Sequence, residues 1–248
     1  MKKESQAFYE HIHKEYWNLK VDEEKFEPMF SDRVKKSRFL ISALRPKKIL
    51  NVGFESIKIA SFIVSDFDFE EYVLIDIDEN LCDIPKEFNV KGYRALNIDV
   101  SSDKLPFPNN YFDLVYAGEV IEHLWNPDFA FREMYRVTRV GGNILLTTPN
   151  LASWYNRLLL LVGLTPINVE VSTEAILGRR FKFLGNKSPP VGHIRLYTME
   201  AIKELMASQG ITDFRLSGYK REDVRLDSLF AHFTSLASGF VLEVRKSP

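Results

Sequence analysis

The spacing of hydrophobic positions changes near residue 48. Before it, apolar and polar residues interleave at helical intervals. AFYEHIHKEYW (7–17) mixes aromatics with charges, and DEEKFEPMF (22–30) reads as a connector. SDRVKKSRFLISAL (31–44) sets Val34, Ser37, Ile41 and Leu44 on one helical stripe, which Pro46 ends. After it come short apolar runs without polar alternation: KKILNVG (47–53), YVLIDID (72–78), GYRALNID (92–99), YFDLVYAG (111–118) and NILLTTP (143–149). Strands covered on both faces of a parallel sheet have this pattern. SIKIASFIV (56–64) predicts a helix after the first run. NPDFAFREMYRVTR (126–139) predicts one after the fourth, with Asn126 as N-cap, Pro127 as first helical residue and Gly141-Gly142 ending it before the next strand. Residues 151–197 are less regular, with a short helix in SWYNRLLLLVGL (153–164) and a loop in GRRFKFLGNKSPPVGH (178–193), and they read as an insertion. MEAIKELMASQ (199–209) is a helix capped by Thr198 and closed by Gly210; ITDFRLSGY (211–219) and ASGFVLEVRK (237–246) are the remaining strands. The alternation predicts an open α/β sheet with helices on both faces. Residues 1–44 form an N-terminal helical cap, and 45–248 one domain with its insertion, or lid, at about 151–197.

Composition narrows the function classes. In 248 residues, 45% hydrophobic and 13% aromatic content excludes a disordered chain. The net charge of -1 gives no support to a general nucleic-acid binder. Residues 151–248 hold 13 basic and 9 acidic residues, a mild excess suited to an anionic substrate or surface. The single Cys, Cys82, forms no intramolecular disulfide, and neither a signal peptide nor a membrane span is legible, which together predict a cytoplasmic protein. Oligomeric state is not encoded in any of these features.

In an open α/β sheet, ligands bind beyond the carboxyl ends of the strands. The residues there are Gly53-Phe54-Glu55, Asp76 and Asp78, Asp99, Gly118-Glu119 and Thr148-Pro149-Asn150. Gly53 suits a tight turn into a helix, and Asp76 is placed to accept from both hydroxyls of a ribose.

DVSSDKLPFPNNYFDLVYAGEVIEHLWNPDFAFREMYRVTRVGGNILLTTPN (99–150) and GHIRLYTMEAIKELMASQGI (192–211) resemble the class I S-adenosylmethionine-dependent methyltransferases, in the subgroup acting on small molecules and lipids. The resemblance covers about residues 45–220. It implies a Rossmann-like, seven-stranded mixed sheet whose last strand is antiparallel, and S-adenosylmethionine as cofactor. It places Asn51 and Gly53 in the first cofactor motif, with Phe54 and Glu55 following. Asp76 falls on the ribose hydroxyls, Ile77 on the adenine, Asp99 and the Val100 backbone at the adenine amino group, and Ala117 and Gly118 along the methionine part. His123 falls near the reactive end. ILNVGFESI (49–57) departs from the motif: Asn51 replaces the acid, and Glu55 and Ile57 replace two glycines.

His123 and His193 are the candidate general bases for an acceptor hydroxyl. Trp17, Trp154, Tyr155 and Phe183 are candidate apolar walls for a small-molecule or lipid-like acceptor, with Arg195 beside them. RLLLLVGL (157–164) suits weak contact with a membrane surface. No metal site is expected: HIH (11–13) lacks a third partner in its segment. Two other readings stand beside methyl transfer. One is a catalytically inactive binding or partner protein on the same fold, suggested by the altered glycine loop. The other is a nicotinamide-dependent oxidoreductase, which would need a G-x-G-x-x-G turn that this chain lacks.

Overall fold

The structure, a computed structural model, describes residues 31–53, 60, 67–78, 92–179, 190–222, 224 and 226–248. The expected helix 56–64, apart from helical Ala60, and the segments 7–17 and 22–30 lie outside the described residues.

In chain order the elements are α1 (Asp32–Leu44), β1 (Lys48–Val52), β2 (Glu71–Asp76), β3 (Tyr93–Asn97) and β4 (Phe112–Gly118). A 3-10 turn (Ile121–His123) leads to α2 (Pro127–Val137), β5 (Thr138–Pro149) and α3 (Trp154–Leu161). The chain closes with α4 (Met199–Ser208), β6 (Phe214–Tyr219), α5 (Asp227–Phe230) and β7 (Gly239–Arg245). The seven strands form one sheet in the order β3-β2-β1-β4-β5-β7-β6. β1 to β5 pair in parallel, and β7 runs antiparallel to both β5 and β6. The sheet therefore has the expected mixed arrangement with the last strand reversed.

The apolar runs lack alternation because both faces are covered. Leu50, Val52, Val73, Ile75, Val115 and Ile144 point into one core with Phe131 and Met134 of α2 and Ile202 and Met206 of α4. Ile49, Tyr72, Leu74, Leu114 and Leu145 point into the other with Val34 and Ile41 of α1. The described part of the expected N-terminal cap is thus a helix on the sheet face. Ser31 caps it by accepting from the Val34 amide, and Arg45 closes it in the left-handed region.

One boundary differs. α2 ends at Val137, and β5 begins at once with Thr138, so Gly141-Gly142 lie inside a strand instead of separating helix from strand. The register between β4 and β5 slips between Phe112 and Leu114. Gly141 has φ +74°, and a Cβ on Gly142 would lie 2.8 Å from the Asp113 carbonyl oxygen. The pair absorbs a bulge, which interior strand glycines also mark.

Candidate functional site

Chain order reverses at β1, which lies between β2 and β4. A crevice opens at such a switch point, beyond the carboxyl ends of the strands. Asn51, Gly53, Asp76, Ile77, Asp99, Val100, Ala117 and Gly118 all stand at or just past the ends of β1 to β4, so four neighbouring strands bring them together.

Gly53 holds φ +79° and donates its N–H to the Ile75 carbonyl at 2.8 Å. A Cβ there would approach Val120 Cγ2 to 2.5 Å, so backbone and packing both call for glycine. Asp76 is 8% exposed, and its Oδ1 accepts from the Asp78 amide at 2.9 Å. The Ile98 amide donates to the Asp76 carbonyl, which carries the chain leaving β3 past the end of β2. Asp99, 7% exposed, accepts from the Ser101 amide and the Ser102 hydroxyl. Asn97 Nδ2 donates to the Ile77 carbonyl at 2.7 Å. Two buried carboxylates thus stand on adjacent strand ends, each oriented by its own turn.

Asn51 is turned elsewhere. Its Nδ2 donates to the Tyr72 hydroxyl at 2.9 Å, on the α1 face of the sheet. Burial pushes the Tyr72 phenol well above its usual range, so the amide meets a neutral hydroxyl.

Past β4 lies a second polar group. Glu119 has φ +55°. Its amide donates to the Thr147 carbonyl at 3.0 Å and to Thr147 Oγ1 at 3.1 Å. Glu119 Oε1 accepts from the Thr147 hydroxyl and from the Tyr219 hydroxyl at 3.2 Å, and lies 4.0 Å from Arg33 Nε. Burial, reinforced by the charge of Glu119, raises the Tyr219 phenol well above its ordinary value and keeps it a donor. Glu122 is fully buried and accepts from the Thr148 hydroxyl at 2.9 Å. Burial, with the neighbouring Glu119 charge, holds its carboxyl well above the usual carboxylate range.

The two candidate bases meet although 70 positions separate them in sequence: the His123 and His193 rings have centroids 4.9 Å apart. Arg195 does not reach outward. Its guanidinium donates to the Leu124 and Trp125 carbonyls and ties the approach to α4 onto the 3-10 turn. Trp154 stacks on Phe230 at 4.8 Å and donates to Asp227, while Tyr155 is buried edge-on against it. Trp154 thereby packs α3 onto α5. Trp17, Phe54, Glu55 and Phe183 lie outside the described residues.

Arg33, Tyr219, Thr147 and Glu170 were not anticipated as site residues, whereas Thr148 stood among the strand-end candidates. The polar pair Thr147-Thr148 inside an apolar strand was the one local sign.

Residues 50–146 match the profile of the methyltransferase domain family. Among curated proteins, the chain is 32% identical over 77 residues to the ubiquinone/menaquinone biosynthesis C-methyltransferase UbiE of Neisseria meningitidis, covering 31% of each chain. It is 33% identical over 72 residues to the UbiE of Burkholderia vietnamiensis, covering 29% of this chain and 30% of that one. The chain thus matches about a third of the length of these relatives. Among solved structures, a SAM-dependent methyltransferase of Thermotoga maritima superposes with a TM-score of 0.62 at 15% identity, over 97% of this chain and 99% of that one. The N-methyltransferase NodS of Bradyrhizobium japonicum, solved with S-adenosyl-L-homocysteine, superposes with a TM-score of 0.59 at 13% identity, again over 97% and 99%. Residues 50–146 are thus similar to the methyltransferase domain family, and the chain has the fold of the class I S-adenosylmethionine-dependent methyltransferases.

Proposed function

We propose that the protein transfers a methyl group from S-adenosylmethionine to a small acceptor with an apolar or ring portion. The observation that carries this reading is the pair Asp76 and Asp99, each more than nine-tenths buried, on the adjacent ends of β2 and β3 beside the Gly53 turn. The donor set fits the cofactor. Asp76 would accept from the two ribose hydroxyls and Asp99 from the adenine amino group, with Ile77 and Val100 flanking the base and Ala117 and Gly118 lining the amino-acid portion. When bound, the cofactor supplies an electrophilic methyl group on a sulfonium.

The remaining work falls to residues of the chain. Gly53 lets the backbone approach closely. The network of Glu119 with Thr147, Tyr219 and Arg33 fixes the strand ends, and positioning supplies much of the rate of such displacements. His123 and His193 would take up a proton leaving an acceptor hydroxyl. UbiE is by name a quinone-pathway C-methyltransferase, which favours a lipid-like or ring-bearing acceptor here. Among the described residues no helix is long and apolar enough to cross a membrane.

Calorimetric titration tests the reading. S-adenosylmethionine and S-adenosylhomocysteine are expected to bind saturably, and NAD is not. Absence of binding at about 1 mM of either sulfur compound, in protein that melts cooperatively, contradicts it. Binding of both without release of S-adenosylhomocysteine in the presence of any fraction of cell extract would instead favour a catalytically inactive binding protein.

A further inference from the structure

Glu122, His123 and His193 are not among the residues assigned to the cofactor, and their ligand-capable atoms fall within 4.8 Å of one another. Each ring also contacts a backbone carbonyl. His123 Nδ1 lies 3.0 Å from the Gly192 carbonyl oxygen, and His193 Nδ1 lies 3.2 Å from that of Asn168. A carbonyl only accepts, so each Nδ1 carries the hydrogen and the lone pair of the neutral ring is on Nε2. Imidazoles that bind metals are held by such outer contacts. Glu170 adds a carboxylate 3.5 Å from His193 Nδ1.

The carboxylate of Glu122 is the second observation. The residue has no exposed surface, yet only Oε2 has a donor, the Thr148 hydroxyl; Oε1 has no hydrogen-bond partner among the described residues. A buried polar atom left in this state is costly unless something fills the vacancy. A cation would fill it.

The backbone around the three is over-determined. The amides of Ile194 and Arg195 both donate to the Glu122 carbonyl at 3.0 Å. The Glu170 carboxylate accepts from the amides of Val191, Gly192 and His193 at 2.9, 2.8 and 3.1 Å. His123 and His193 stay partly exposed, which leaves a path from solvent.

We propose that Glu122, His123 and His193 form a binding site for a divalent transition-metal ion. Two imidazoles and one carboxylate favour Zn²⁺, Mn²⁺, Fe²⁺ or Co²⁺ over Mg²⁺ or Ca²⁺, which prefer all-oxygen sets. In a tetrahedral site with bonds of ~2.0–2.2 Å, neighbouring ligand atoms stand roughly 3.3 Å apart, so the three groups draw together when the ion enters. Three protein ligands leave at least one position open for water or for an oxygen of another molecule. Binding rests on this geometry alone. The role assigned to the ion, holding and acidifying an acceptor oxygen in place of proton uptake by the two imidazoles, rests on the methyl-transfer reading.

The test uses the full chain, stripped with chelator and titrated with Co²⁺ or Zn²⁺ in the absence of other ligands. One equivalent is expected to bind, with visible Co²⁺ bands of four- or five-coordination. His123→Asn and His193→Asn are each expected to weaken binding by more than about tenfold. Should either variant fail to melt cooperatively, pulsed electron resonance of Mn²⁺ bound to the wild type decides, because it counts coordinated imidazole nitrogens and two are expected. No saturable uptake at about 1 mM ion, unchanged affinity in both folded variants, or bound Mn²⁺ without imidazole nitrogens each overturns the site. S-adenosylhomocysteine is titrated into the same stripped protein. Failure there with metal binding intact removes the methyl-transfer reading and leaves the metal site standing.

Discussion

At the scale of single residues, the candidate site depends on two backbone conformations in the left-handed region. Gly53 at φ +79° turns the chain out of β1, and Glu119 at φ +55° turns it out of β4. The first is where glycine is required, since a Cβ would meet Val120 Cγ2. Gly53→Ala is expected to destabilise the fold by about 1–3 kcal/mol, from backbone strain and the clash together. Adding Val120→Ala should recover part of that loss and leave the strain. Chemical denaturation of the single and double variants measures both, and equal stability of Gly53→Ala and wild type would show that the turn is not held as described. Glu119 tolerates its conformation because its amide and carboxylate are both engaged, by Thr147 and by Tyr219.

At the scale of elements, an Arg136–Glu133 ion pair within α2 holds the loop before β4 through hydrogen bonds from both partners. Arg136 Nε and Nη2 donate to the Glu133 carboxylate at 2.8 Å, and the same guanidinium donates to the carbonyls of Leu105 and Phe107 and to Asn109. Glu133 Oε2 also accepts from the Leu105 amide at 2.9 Å. The loop that leaves Asp99 is thereby pinned to a helix in the core. The Arg136 hydrogen bond, aided by the Leu105 amide, holds the Glu133 carboxyl below the usual carboxylate range. A carboxylate depressed in the folded state contributes stability above its unfolded value and loses it as pH falls through the folded one. Glu133→Gln is therefore expected to cost about 1–2 kcal/mol at pH 7. The gap to wild type should close as the pH falls below the ordinary carboxylate range. Urea unfolding at several pH values checks this; a gap that widens on acidification would refute the assignment.

At the scale of the molecule, the sheet was legible in sequence and the convergence of the site was not. Strands covered on both faces read as continuous apolar runs, so β1 to β5 were located within a few residues, and Asn126-Pro127 marked the start of α2 by cap chemistry. Gly141-Gly142 misled because a bulge and a helix end use the same residue for the same backbone freedom. Asp76 and Asp99 were visible because each directly follows an apolar run. The meeting of Glu122, His123 and His193 was not visible. Among the described residues between them, 162–179 and 190–198 hold no helix or strand element, and the sequence there has no periodicity to say where the chain returns. Arg33 and Tyr219 reach Glu119 from opposite ends of the chain for the same reason. The central claim is that two carboxylates at the ends of β2 and β3 seat an adenosine. The measurement that bears on it most directly is the affinity of Asp76→Ala for S-adenosylhomocysteine, read by calorimetry beside its melting temperature. The account predicts at least about a tenfold loss, ~1.4 kcal/mol, in protein that melts like the wild type. An unchanged dissociation constant would contradict it.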